Sequence, residues 1–143
     1  MSIRTWCEEF YTKEVYEVKT PIECLERDLL KWTGLLPKSL RKHEVAVRNG
    51  ILYSRDVALY GSENEEDYEY SIKINGNTCS LCHAYAKEDC KECPIKIHGL
   101  GESPDGEACS YEFTSFVFTN DPRLMIKLLR ETLEKEKWNA NKD

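Results

Sequence analysis

The chain has 143 residues, 32% of them charged, and a formal net charge of −6. That length suits one ordinary domain and excludes a multidomain enzyme, while the acidic balance argues against a generic nucleic-acid binder, which needs a basic surface to neutralise phosphates. With 41% apolar residues, the expectation is a single domain over residues 1–143 with a thin core, ending in a flexible tail at residues 139–143.

In chain order, Thr5 and Glu8 form a weak capping pair with Trp6 and Phe10 at helical spacing, which predicts one or two turns of helix. Thr20, Pro21 and Glu23 carry the capping-box signature, and Ile22, Leu25, Leu29 and Trp32 follow with helical periodicity until Gly34 supplies a stop. A short helix is predicted after Pro37, through Ser39, Leu40 and His43. Asn49-Gly50 between two apolar runs predicts a tight hairpin over residues 45–53. The acidic residues 62–67 read as an exposed loop. Strict alternation then places Tyr68, Tyr70, Ile72 and Ile74 on one face of a strand that turns at Asn75-Gly76. A turn or two of helix over residues 83–89, an irregular loop over residues 99–106 and a helix over residues 109–119 come next. In that last segment Cys109, Phe113, Phe116 and Val117 share a helical face, although its Phe, Val and Thr content also suits a strand. Asp121 as cap, Pro122 at the first position and the stripe of Leu124, Met125, Leu128, Leu129 and Leu133 predict a closing helix that frays near Trp138.

Charge is unevenly spread. From Arg27 to Arg55 there are seven Lys or Arg against two acids, and from Asp56 to Tyr70 six acids and no Lys or Arg. Both stretches read first as solvated surface. A basic face through Lys38, Arg41, Lys42 and Arg48 could instead steer a nucleic acid, nucleotide or protein partner, and the acidic run could mimic nucleic acid. The first ten residues lack a continuous apolar core, and no run approaches the length of a membrane span. An intracellular, cytoplasmic setting with reduced thiols and no membrane partner is expected.

Five of the seven cysteines, Cys79, Cys82, Cys90, Cys93 and Cys109, fall within 31 residues. Two Cys-x-x-Cys pairs, Cys79/Cys82 and Cys90/Cys93, let both thiolates of a pair face one ion, and a tetrahedral zinc takes four such ligands. One zinc held by Cys79, Cys82, Cys90 and Cys93 is the leading reading, with Cys109 as an alternate ligand and His83 as a lesser one. An iron-sulfur cluster is the next, since Pro94 follows Cys93, although its usual spacings bring three cysteines closer together. Disulfides, unligated thiols and redox catalysis remain behind these. A closed, cysteine-rich set suits a structural metal better than a catalytic one. The deaminase, His-Glu-x-x-His, phosphate-loop and Gly-x-Ser-x-Gly signatures do not occur. From Cys79 to Cys109 there are three lysines and six acids, so this segment is not built to grip phosphates. Cys24 and Cys7 read as small core residues, and His43 and His98 have no partner that the sequence names.

The order of motifs, Trp6-Cys7-Glu8-Glu9-Phe10-Tyr11, a helix ending in Lys31-Trp32 and Gly34-Leu35, Cys79-Ser80-Leu81-Cys82, Cys90-Lys91-Glu92-Cys93-Pro94, a later Cys109 and a closing helix, resembles small cysteine-rich proteins of tailed phages and bacteria. The resemblance implies a metal-stapled fold in an intracellular or phage setting and transfers no catalytic residue. The combined expectation is an α+β domain in which a small antiparallel sheet and several helices surround a Cys-ligated zinc. Its function would be non-enzymatic binding or regulation of a protein partner, in a phage setting a host protein or defence system within the host cytoplasm. The alternatives are a metal-dependent enzyme with a scattered active site and a nucleic-acid or nucleotide binder using residues 38–48.

Overall fold

The computed structural model describes residues 2–65, 71–75, 78–85, 92–99 and 109–141. Among them are eight α-helices and a three-stranded antiparallel sheet, the α+β class expected from the sequence.

Helix α1 spans Ile3–Phe10. Its capping box pairs Ser2 with Thr5, where the sequence had pointed to Thr5 and Glu8; Ser2 N–H donates to Thr5 Oγ1 at 2.9 Å, and Glu8 instead pairs with Arg4 on the exposed side. After a 3₁₀ turn at Val15–Glu17, α2 spans Pro21–Thr33 and opens with the predicted Thr20/Glu23 box and Pro21 at its first turn. Gly34 ends α2, but in right-handed backbone with φ −65°, so it is not required for a left-handed stop. Its need is steric, because a Cβ there would lie 2.5 Å from Phe10 Cγ. The same close approach lets Trp6 Nε1 donate to the Gly34 carbonyl at 2.8 Å. Helix α3 spans Pro37–His43 and stops at a left-handed Glu44.

Strands β1 (Val45–Arg48) and β2 (Ile51–Ser54) form the predicted hairpin, with Val45 opposite Ser54 and Arg48 opposite Ile51. Asn49 and Gly50 both have positive φ, as the tight primed turn requires. Strand β3 pairs on the other side of β2 but covers only Ile72–Lys73; the predicted residues 68–70 lie outside the described residues. Between them runs α4, Arg55–Tyr60, which the sequence did not announce. It starts where Arg55 N–H donates to the Glu44 carbonyl at 2.9 Å and turns Ala58 inward, both tertiary conditions. Of the predicted acidic loop, Glu63 and Glu65 are exposed as expected, and residues 66–67 lie outside the described residues.

Helices α5 (Ser80–Tyr85), α6 (Pro94–His98), α7 (Ser110–Thr119) and α8 (Arg123–Ala140) complete the order. The ambiguous segment is therefore helical. The predicted helix over residues 83–89 begins earlier, at Ser80, while residues 86–89 and most of the predicted loop over residues 99–106 lie outside the described residues. Pro122, not Asp121, caps α8; Asp121 Oδ1 still accepts from Arg123 N–H at 3.0 Å. The helix does not fray at Trp138 but runs through Ala140, taking in the first part of the predicted tail.

Helices α2, α7 and α8 carry the main core. Trp32 meets Phe116 edge-on, with ring centroids 4.8 Å apart and planes at 78°, a favoured geometry for aromatic quadrupoles. Leu25, Leu35, Leu52, Ile74, Leu81 and Leu129 are buried in the same core as this pair, each contributing about 1.5–3 kcal/mol by leaving water. Cys24 is fully buried among them, as predicted, and Cys7 is half-buried. Among the described residues no helix is long and apolar enough to cross a membrane.

Candidate metal centre

Three described cysteines of the cluster stand immediately before a helix. Cys79 precedes α5, Cys93 precedes α6 with Pro94 in its first turn, and Cys109 precedes α7. In each case the cysteine carbonyl accepts the first helical hydrogen bond, from His83, Ile97 and Phe113 respectively. Cys82 lies within the first turn of α5. The four side chains come from three separate segments, yet all line one cavity of about 150 Å³ whose walls include Trp32, Leu81, Phe113 and Met125. Cys90 lies outside the described residues, so the predicted second pair is represented by Cys93 alone. Among the described residues no three His, Cys, Asp or Glu side chains are gathered closely enough to hold a metal ion. The sulfur donors that line the cavity are of the soft type that zinc and other thiophilic metals take.

The pair at Cys79 and Cys82 rests on a charged cluster inside the molecule. Asp28, fully buried, reaches from α2 to the start of α5; its Oδ1 accepts from Ser80 N–H at 2.9 Å and from the Ser80 hydroxyl at 2.7 Å, and its Oδ2 accepts from Leu81 N–H at 3.0 Å. A carboxylate thus serves the orphan N–H groups of α5 from another helix. Arg27 Nη1 donates to Asp28 Oδ1 at 2.8 Å and to the Thr78 carbonyl at 2.7 Å, and the equally buried Lys31 donates to the same carbonyl at 2.7 Å. The Arg27 guanidinium also sits over the Tyr11 ring, 4.5 Å from its centroid.

This cluster sets the local electrostatics. Burial alone would raise the Asp28 pKa, but Lys31, the Ser80 N–H and hydroxyl and Arg27 outweigh it and hold the carboxyl below its usual range. The hydrogen bond of the Cys79 thiol to Cys82, burial and the Asp28 charge push that thiol well above the ordinary cysteine value, against the pull of Lys31. Accordingly the Cys79 thiol donates to Asp28 Oδ2 at 3.1 Å. Burial lowers the Lys31 pKa, while Cys79 and Asp28 draw it back up. Burial and Asp28 together therefore hold Cys79 as the thiol, so a metal bound there would have to displace that proton.

The remaining predicted residues separate clearly. His83 is exposed on α5 and does not line the cavity, so Cys109 is the better-placed alternate donor. His43 is buried with Nδ1 2.9 Å from Thr5 Oγ1, and His98 pairs with Glu136 of α8 at 3.0 Å, partners that only the fold supplies. Lys38, Arg41 and Lys42 stand exposed on α3 and Arg48 is exposed at the end of β1. Lys42 is engaged with Glu9 at 2.6 Å, and that hydrogen bond holds the Glu9 carboxyl below its ordinary pKa. The reading of the whole 27–55 stretch as solvated surface is corrected at Arg27, Asp28 and Lys31, which are internal. Their one sequence signal was spacing: Cys24, Asp28 and Lys31 recur at helical intervals beside the apolar stripe of α2. Comparison with protein-family models, with curated proteins and with solved structures found no match.

Proposed function

We propose that the chain is a zinc-stapled, non-enzymatic binding protein that regulates a protein partner, in a phage setting a host protein. One zinc would be held by Cys79, Cys82, Cys90 and Cys93, with Cys109 as alternate ligand, and would draw together described side chains that share a cavity but stand apart without it. The observation that supports this reading is the convergence of four cysteine side chains, from three segments of the chain, on one apolar-walled cavity. Metal stapling suits a thin core, because zinc binding in small peptide sites is worth about 10–16 kcal/mol. Partner binding is supported by large side chains left in water, Tyr60 at 83% and Phe118 at 82% exposure, the type of residue that anchors protein interfaces.

The test is metal analysis of the purified protein and of single Cys→Ser variants. One zinc per chain is expected, with loss or marked weakening on substitution of Cys79, Cys82 or Cys93 and of one of Cys90 and Cys109. A metal-free protein that folds and melts identically with and without added zinc would overturn the reading. Partner capture from a host lysate that is lost in Tyr60→Ala or Phe118→Ala would support the binding role, and no stoichiometric partner under mild salt would count against it. The exposed Lys38 and Arg41 on α3 favour a nucleic-acid reading as runner-up, which salt-sensitive binding to DNA or RNA would promote.

A further inference from the structure

The interior of this molecule holds three charged side chains in a row on one face of α2, an arrangement that a stable fold alone does not call for. Replacing buried ions by apolar residues of similar volume is often neutral or stabilising. Arg27, Asp28 and Lys31 are 7%, 0% and 1% exposed, and all three act on residues 78–81, the segment that delivers Cys79 and Cys82. Two cations converge on one carbonyl, that of Thr78, each at 2.7 Å. The Thr78 hydroxyl is itself fixed, donating to the Lys73 carbonyl at 2.7 Å. One carboxylate takes the N–H groups of Ser80 and Leu81 and the thiol of Cys79. Every polar backbone group around Cys79 that these bonds engage is thus held from α2, across more than forty residues of sequence.

Resting on the zinc reading above, we propose that Arg27, Asp28 and Lys31 are positioning residues that form the outer shell of the metal site. Asp28 orients the start of α5 so that Cys79 and Cys82 face the cavity together, and Lys31 places a desolvated positive charge beside the pair. Four thiolates around a divalent ion carry net negative charge in an apolar wall, and a buried ammonium offsets part of it. Outer-shell partners of metal ligands typically change affinity by 10–100-fold when replaced, and this cluster has the contacts for that role.

The test measures zinc affinity by chelator competition, and ligand geometry by the visible spectrum of the Co²⁺-substituted protein, in Lys31→Met and Asp28→Asn. Leu128→Ala serves as a control that loosens the buried core of α8 at a residue that does not line the cavity. About 10-fold or greater loss of affinity with an altered Co²⁺ spectrum is expected in the two cluster variants, together with near-native affinity and spectrum in the folded control. Wild-type affinity in Lys31→Met, or an equal loss in Leu128→Ala at matched stability, would overturn the inference. Should the two charge variants not fold, Ser80→Ala carries the test, since it removes one donor to Asp28 and leaves every charge in place; a loss of about threefold is expected, and unchanged affinity would overturn the inference. A wild-type protein that takes up no zinc sinks the metal reading itself, whereas a zinc-loaded wild type with unaffected variants sinks the outer-shell role alone.

Discussion

Replacing Asp28 by Asn keeps the shape of the side chain and removes its charge, so the consequences follow from five hydrogen bonds. Oδ1 accepts from Arg27, Ser80 N–H and the Ser80 hydroxyl, and Oδ2 accepts from Leu81 N–H and the Cys79 thiol. An Asn oxygen can serve the first set, but its amide nitrogen then points at two donors, and each buried donor left without an acceptor costs about 1–3 kcal/mol. Arg27 and Lys31 also lose their buried counter-charge, and breaking such a cluster typically costs about 3–5 kcal/mol. The two estimates overlap, so a loss of about 3–5 kcal/mol is expected, a large part of the roughly 5–15 kcal/mol of an ordinary domain. Urea unfolding followed by circular dichroism should show a midpoint lower by about 1.5–2.5 M for a slope near 2 kcal/mol/M. Acidification gives an independent reading. The folded-state pKa of Asp28 is depressed, so its contribution is complete above the unfolded value of about 3.9 and disappears as pH falls through the lower folded value. The variant should therefore differ most from wild type above about pH 4 and converge on it in stronger acid. A midpoint shift below about 0.5 M, or one that does not shrink in acid, would refute this account of the cluster.

Other expectations follow from single contacts. Gly34→Ala gains about 0.4–1 kcal/mol of backbone preference, but its methyl would lie 2.5 Å from Phe10 Cγ and 2.7 Å from Phe10 Cβ. Rotating the ring does not move that Cβ, so overpacking of about 1–3 kcal/mol dominates and a thermal melt should show net destabilisation; a stabilised variant would show that the α1–α2 contact yields freely. Thr20→Ala removes the hydroxyl that accepts from Glu23 N–H and donates to Glu23 Oε1, leaving only the backbone half of the α2 capping box, and should cost about 1 kcal/mol by denaturant melt; no measurable loss would mean that the cap is redundant. If zinc is the staple, stripping it with a chelator should lower the melting temperature by on the order of 10 °C, because free metal at about 1,000 times Kd stabilises by about 4 kcal/mol, and re-addition of zinc should restore it.

Local signals carried the helix starts at Thr20 and Pro37, the Asn49-Gly50 turn and the apolar stripe of α8, because capping, positive-φ turns and helical periodicity are written within a few adjacent residues. The same holds for the cysteine spacing over residues 79–109, whose two-residue gaps are local in the chain. Only the tertiary structure showed that Cys79, Cys82, Cys93 and Cys109 share a cavity, since that depends on how α5, α6 and α7 dock on α2 and α8. It also decided that Arg27, Asp28 and Lys31 are interior. Charge favours water by default, and that default is overturned only where backbone carbonyls and N–H groups from a distant segment, here Thr78, Ser80 and Leu81, replace the water each ion gives up.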